Sequence, residues 1–399
     1  MASKLYPDVL NHIFEYNRDD INTLHSILLV NRFWAKVVVN LLWENPFRYA
    51  HIQVKLHNHY IYKTYDKLLN IYRHFINDNN TLLFDYPSFL KILDWKYLRC
   101  EDDGVQLFNM FIRKSTKITT LKINNLNRGI EKYFTRDEEI LRCVKSLSHI
   151  KTLKINNKIP SYWYLEIFSD IFNDLNSLSV DCYITDDNFL GLSEFIQAQK
   201  NLKILIIRNF FPLINEGLKA QSNSIKYIKL ANNRFKGDAN TLTSLKYCLS
   251  LETLEFSFWN LRKNDCQILS KISFPNLKSL IFDHSKINYE DLINIIKING
   301  SNLNYLCLTN LNFLWSVETN SIELNLIEIS KIIKQFCSKL SIFKLQTYWE
   351  HNSIIYFFHD IIINLDLFIL EFLKSSKPLL EFKAPINLDS ILSKIEELK

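Results

Sequence analysis

The chain has 399 residues, 47% hydrophobic and 14% aromatic, enough for a large core or a long repeat array. Its formal net charge is +6 without any run of five Lys/Arg, which describes a solvated lysine surface and argues against a nucleic-acid tract. Six glycines leave little with which to build a nucleotide loop.

The first stretch is Leu5-Tyr6-Pro7-Asp8-Val9-Leu10-Asn11-His12-Ile13-Phe14. A proline at the start, an acidic residue and apolar residues at 9, 10, 13 and 14 predict the first turns of a buried helix. A second apolar set follows at Ile21, Leu24, Leu28, Leu29 and Val30, and a third at Val37, Val38, Leu41 and Leu42. About 45 residues in three short amphipathic helices is small for a free-standing domain. The piece is expected to complete its core against something else. Charged and polar residues interrupt the first 20 positions, so no signal peptide is expected.

In order and spacing, Leu5, Pro7, Asp8, Ile13, Phe14, Leu24, Val30, Arg32, Trp34, Leu42 and Trp43 resemble an F-box. That family has its proline directly after the leucine, whereas here Tyr6 intervenes. The resemblance implies docking to a Skp-type adaptor and, through it, to a cullin scaffold of a ubiquitin ligase. The adaptor-binding residues it implies are Leu5, Pro7, Leu10, Ile13, Phe14, Leu24, Val30 and Trp34. The plain alternative is a three-helix cap on a larger domain.

Residues 48–117 read as a helical connector. Asp66 to Ile76 has a helical apolar face at Leu68, Leu69, Tyr72, Phe75 and Ile76. Tyr86-Pro87 is expected to restart a helix with Phe89, Leu90 and Leu93 inward, and Val105 to Ile112 reads as a third. His51, His57 and His59 lack neighbouring cysteines or carboxylates, so no metal site is expected there.

From 118 onward one pattern recurs: aliphatic, two variable, aliphatic, one variable, aliphatic or aromatic. It reads Ile118-Leu121-Ile123, Ile150-Leu153-Ile155, Leu175-Leu178-Val180, Leu202-Leu205-Ile207 and Ile225-Ile228-Leu230. It continues with Leu251-Leu254-Phe256, Leu277-Leu280-Phe282, Leu303-Leu306-Leu308 and Leu340-Phe343-Leu345. Most steps are about 26 residues, within the leucine-rich-repeat range. Each unit gives a short strand with anchors inward and a return segment long enough for a helix. Thr135-Arg136-Asp137-Glu138 is a capping box, and Asn288 opens a helix with Leu292, Ile293 and Ile296 inward and Gly300 as its stop.

The resemblance to leucine-rich repeats covers about 118 to 346, with a degenerate tail and an amphipathic end helix at Asp389 to Leu398. Cys182-Tyr183-Ile184-Thr185-Asp186 looks like the cysteine-containing subtype often fused to F-boxes. The asparagine expected three residues past the last anchor is present at Asn233 but not at Lys158, Phe210, Trp259, Ser285 or Leu311. Something else must replace that ladder. Phe235, Leu261, Ile287 and Phe313, two residues further on, stay apolar.

The expected fold class is therefore α/β: the resemblances imply a three-helix F-box at 1–47, a connector at 48–117, and a leucine-rich-repeat horseshoe with a C-terminal cap at 118–399. Seven scattered cysteines, odd in number and without C-x-x-C, predict free, mostly buried thiols in a reducing cytoplasmic or nuclear setting. Ile354 to Leu373 is apolar, but His359, Asp360, Asn364, Asp366 and Glu371 exclude a lipid-exposed span.

No catalytic or metal motif is recognisable, so neither an enzyme nor a cofactor is expected. The expected partners are the adaptor and an unknown target protein, with no nucleic acid and no membrane. The target would bind outward strand positions on the concave face: Lys122, Lys154, Ile204, Ile206, Arg208, Tyr227, Lys229, Glu255, Ile281, Asp283 and Tyr305. The competing reading is an interaction scaffold unconnected to any ligase.

Overall fold

The structure, a computed structural model, describes residues 6–48, 61–76, 84–95, 98, 104–124, 146–156, 162–181, 189–208, 214–232, 239–261, 263–309, 312–314, 329, 331–347, 356–357 and 361–362. The chain forms two compact units, Met1–Pro160 with Asp170–Leu175, and Ser161–Ser169 with Asn176–Lys399.

The first unit opens with three helices: α1 (Pro7–Glu15), α2 (Ile21–Leu28) and α3 (Arg32–Trp43). Sequence sets each start. Pro7 begins α1. The Asp20 carboxylate accepts from the N–H groups of Asn22 and Thr23, and Asn31 accepts from the Trp34 N–H at 2.9 Å. Leu10, Phe14, Leu24, Val37, Val38 and Leu41 form one small core, with Trp34 packed on it. As its size demands, this piece is closed by the connector. Trp43 stacks on Tyr86 at 4.1 Å, and the Glu44 carbonyl accepts from the N–H groups of Lys91 and Ile92. The buried Glu44 carboxylate pairs with Arg18 and with Lys91 at 3.0 Å.

The connector departs from the all-helical expectation. Helices run over Ile61–Arg73 and Gly104–Lys114. Tyr86–Phe89, however, is one 3-10 turn, followed by strand β1 (Ile92–Asp94). That strand pairs in parallel with β2 (Thr120–Asn124), which pairs with β3 (Thr152–Asn156). Leu93 lies opposite Leu121. Leu90-Leu93-Trp95 is thus an unrecognised first copy of the repeat, with all three side chains buried.

The second unit repeats one strand and return segment. Strands β4 (Ser177–Asp181), β5 (Ile204–Arg208), β6 (Tyr227–Ala231), β7 (Thr253–Ser257), β8 (Ser279–Asp283), β10 (Tyr305–Thr309) and β12 (Ile342–Thr347) pair successively in parallel. Leu178, Leu205, Ile228, Leu254, Leu280, Leu306 and Phe343 face one another across the register as one buried row. Phe256 and Phe282 stack at 5.2 Å in the next row. Each buried Leu or Ile contributes about 1.5–3 kcal/mol. No unit alone could bury both flanks of its anchor. Beside this sheet, β9 (Lys286–Asn288) and β11 (Asn312–Leu314) pair in parallel.

The return segments carry the helices. Asn288 caps Tyr289–Asn299 by accepting from the Glu290 N–H, and Leu292, Ile293 and Ile296 are buried as expected. Gly300 is not a left-handed stop: its φ is −64° and the chain continues as a 3-10 turn, Gly300–Asn302. Glycine is needed there because a Cβ would lie 2.8 Å from Cys337 Sγ and 2.9 Å from the Phe336 carbonyl. Gly217 lets its helix approach another in the same way, 2.8 Å from the Ser193 carbonyl.

Residues 125–145, Cys182–Asp186, Asn233 and 363–399 are outside the described residues, as are their predicted helices, cysteine motif and cap. Of the apolar window from 354, the structure describes two short strands, Tyr356–Phe357 and Ile361–Ile362. Among the described residues no helix is long and apolar enough to cross a membrane.

Candidate functional site

The three N-terminal helices split the family-derived residues into two groups. Leu10, Phe14 and Leu24 are buried, and Trp34 lies 5.3 Å from Phe14, ring to ring. These hold the helices together. Pro7, Ile13 and Val30 face outward, with Ile13 45% and Val30 53% exposed. Leu5 lies outside the described residues. Tyr6, Val9, Tyr16 and Leu29 are also exposed, so of the eleven large apolar side chains exposed among the described residues, six belong to residues 6–30. On α1 and its C-terminal cap they follow 9, 13 and 16, a helical stripe on a flank separate from the buried 10 and 14. Asp8, Asn11 and Glu15, on a further flank, line a groove with Lys36 and Lys117.

The strand face is more interlocked than its sequence suggests. In the first unit Lys122 and Lys154 are register partners, and Lys122 lies 3.9 Å from Asp94. In the second unit Ile204 is exposed, while Ile206, Arg208, Tyr227, Lys229, Glu255, Ile281, Asp283 and Tyr305 are half-buried, alternating with the buried anchors. Glu255 is the hub. Its carboxylate accepts from the Lys229 ammonium at 2.5 Å, the Ser257 hydroxyl at 2.9 Å and the Tyr227 hydroxyl. Burial pushes the Glu255 carboxyl up, but these donors outweigh it and hold it below the ordinary value. Burial and the same carboxylate push the Tyr227 phenol well up. Arg208 lies 3.8 Å from Asp181. Below the strands, Lys226 and Lys278 flank Glu252 and hold its carboxyl at about 2.

The missing asparagine ladder has a replacement. Asn232, Phe258 and His284, each two residues past a last anchor, are left-handed, with φ of 56°, 52° and 48°. Their N–H groups donate to the carbonyls of Ser257, Asp283 and Thr309 in the following repeats, at 2.8–2.9 Å. One position later, the Ser285 hydroxyl accepts from the Trp259 N–H at 3.2 Å and lies 3.2 Å from the Phe256 carbonyl. A side chain other than glycine costs about 1–2 kcal/mol in this backbone, and asparagine is among the side chains that adopt it most readily. Leu261 and Ile287 beyond it are fully buried.

No family model matches the chain, and no characterised protein matches it by sequence. One solved structure that resembles it is the "Crystal structure of TLR13-ssRNA13 complex". The two share 14% identity at a TM-score of 0.33, over 67% of this chain and 40% of that one. The chain therefore spans less than half of that protein's length, and the likeness is too slight to carry its ligand across.

Among the described residues no three His, Cys, Asp or Glu side chains converge on a metal position. Cys248, Cys266, Cys307 and Cys337 are free and buried. Burial pushes the first two thiols to about 12 and Cys337 to about 11, far from a reactive thiolate. Sequence reasoning missed Glu255 as a hub and the left-handed ridge. The ridge had a signal, the spacing of 232, 258 and 284, but its residue types are unlike one another.

Proposed function

We propose that this chain is a non-catalytic receptor subunit of a cullin-type ubiquitin ligase. Its N-terminal helices dock on a Skp-type adaptor, and its repeats hold a target protein. The leucine-rich-repeat-like fold supports a protein-interaction role in itself, since parallel repeats present a broad, preformed face. The finer assignment is carried by one observation: the exposed apolar set Val9 and Ile13 on α1 and Tyr16, Leu29 and Val30 in the turns after α1 and α2, around a helical core that is already closed. A folded surface spends exposed apolar area of this kind on partners. Ubiquitin transfer would belong to other subunits, with this chain supplying proximity.

Co-expression with a Skp-type adaptor tests the reading. The full chain should co-purify with it, and Ile13→Asp with Val30→Asp should abolish capture while leaving circular dichroism and melting unchanged. Failure of the wild type to capture the adaptor would leave the interaction scaffold outside any ligase as the better reading, and equal capture by the double variant and the wild type would refute docking through Ile13 and Val30.

A further inference from the structure

Phe258 is costly where it stands. The left-handed turn at 232, 258 and 284 is required by the N–H bonds that cross to the next repeat. Asparagine, as at 232, is at ease in that turn, whereas a bulky aromatic is not. The core does not compensate Phe258, which is 54% exposed. Its ring stacks on His284, centroids 4.4 Å apart and planes 19° apart, so the two side chains form one exposed aromatic stack. Strain retained without a packing gain points to function.

A carboxylate stands beside the platform. His284 Nδ1 is 2.8 Å from Asp283 Oδ1, which also accepts from the Thr309 hydroxyl at 2.6 Å. On neighbouring strands Asp181 faces Arg208 and Glu255 faces Lys229. Among the described residues no lysine or arginine pairs with Asp283, and its side chain is one-third exposed.

We propose that Phe258, His284 and Asp283 form a receptor for one arginine side chain of a partner protein. The guanidinium lies on the exposed aromatic face and donates N–H bonds to the Asp283 carboxylate. Arginine suits the site better than lysine, because it is planar, weakly hydrated and able to stack and hydrogen-bond at once. A nucleobase could also stack, but its phosphates would meet the Asp283 charge. The inference rests on the reading of the second unit as a protein-binding surface, and it is independent of the adaptor.

The probes are the peptides Ac-GGRGG-amide and Ac-GGKGG-amide, followed by saturation-transfer NMR with the full chain. The arginine peptide should bind roughly tenfold more tightly than the lysine peptide. Phe258→Asn and Asp283→Asn should each lose that preference. Phe258→Asn should also melt higher than the wild type, because the turn is relieved of its strain, and should still co-purify with the adaptor. Equal binding of the two peptides, tighter binding of an oligouridine, or a lower melting temperature of Phe258→Asn with arginine binding intact would overturn the proposal. Failure of the wild type to hold the adaptor would bear on the proposed function alone.

Discussion

Leu254→Ala probes the repeat core where it is most regular. Leu254 is 1% exposed and sits in register between Ile228 and Leu280. The substitution removes three carbons, about 2.4 kcal/mol of transfer free energy at ~0.8 kcal/mol each. The cavity adds to this, because the anchors on both sides belong to sheet strands that cannot collapse inward, giving a total of about 3–4 kcal/mol. The loss should be local. In a repeat array each unit is stabilised by its neighbours, so β6, β7 and β8 should open together. Native-state hydrogen exchange by mass spectrometry reads this directly, as roughly 150-fold or more faster exchange of those three strands. A melting temperature alone does not say which strands open. Thr253→Ala, one residue away but outward, should change exchange by less than about 0.5 kcal/mol. Equal losses in the two variants, or loss confined to β7, would refute the stacked-anchor reasoning.

Three further outcomes follow from the packing. Glu255→Gln should destabilise the second unit by about 1–2 kcal/mol, because Lys229 and Tyr227 lose a charged acceptor in a half-buried setting. The Glu255 carboxyl is depressed in the fold, so its contribution is complete above its ordinary value of 4.5 and is lost as pH falls through the folded value. Urea titrations from pH 6 downward should therefore show a steeper acid loss in the wild type than in Glu255→Gln. Gly217→Val should cost about 2 kcal/mol or more in chemical denaturation, since its Cβ meets the Ser193 backbone carbonyl. Phe14→Ala should cost about 3–5 kcal/mol and loosen the N-terminal helices, whereas Ile13→Ala should leave far-ultraviolet dichroism and melting near wild type.

The repeat was legible because its anchors obey one spacing, and a buried row tolerates little else. Leu90-Leu93-Trp95 carries the same pattern and was hidden by Tyr86-Pro87, which reads as a helix start but makes a single 3-10 turn. Gly300 illustrates the reverse failure. A glycine at a helix end suggests a left-handed stop, yet its role here is to admit Cys337 and Phe336, a long-range contact that no local pattern records. The binding surfaces were only half legible. Outward strand positions follow from alternation, but that Tyr227 and Lys229 are drawn to Glu255 depends on register between strands about 26 residues apart. Ile13 and Phe14 look alike in sequence, and the helix phase alone separates an exposed residue from a buried one.

Titration of the full chain with a purified Skp-type adaptor, read by hydrogen exchange, tests the adaptor-docking proposal most directly. Docking through the N-terminal helices predicts a dissociation constant of about micromolar or tighter. It also predicts new protection confined to residues 7–30 and the start of α3, with β4 to β8 unchanged. Absence of binding, or protection that appears on those strands while residues 7–30 exchange as before, would contradict it.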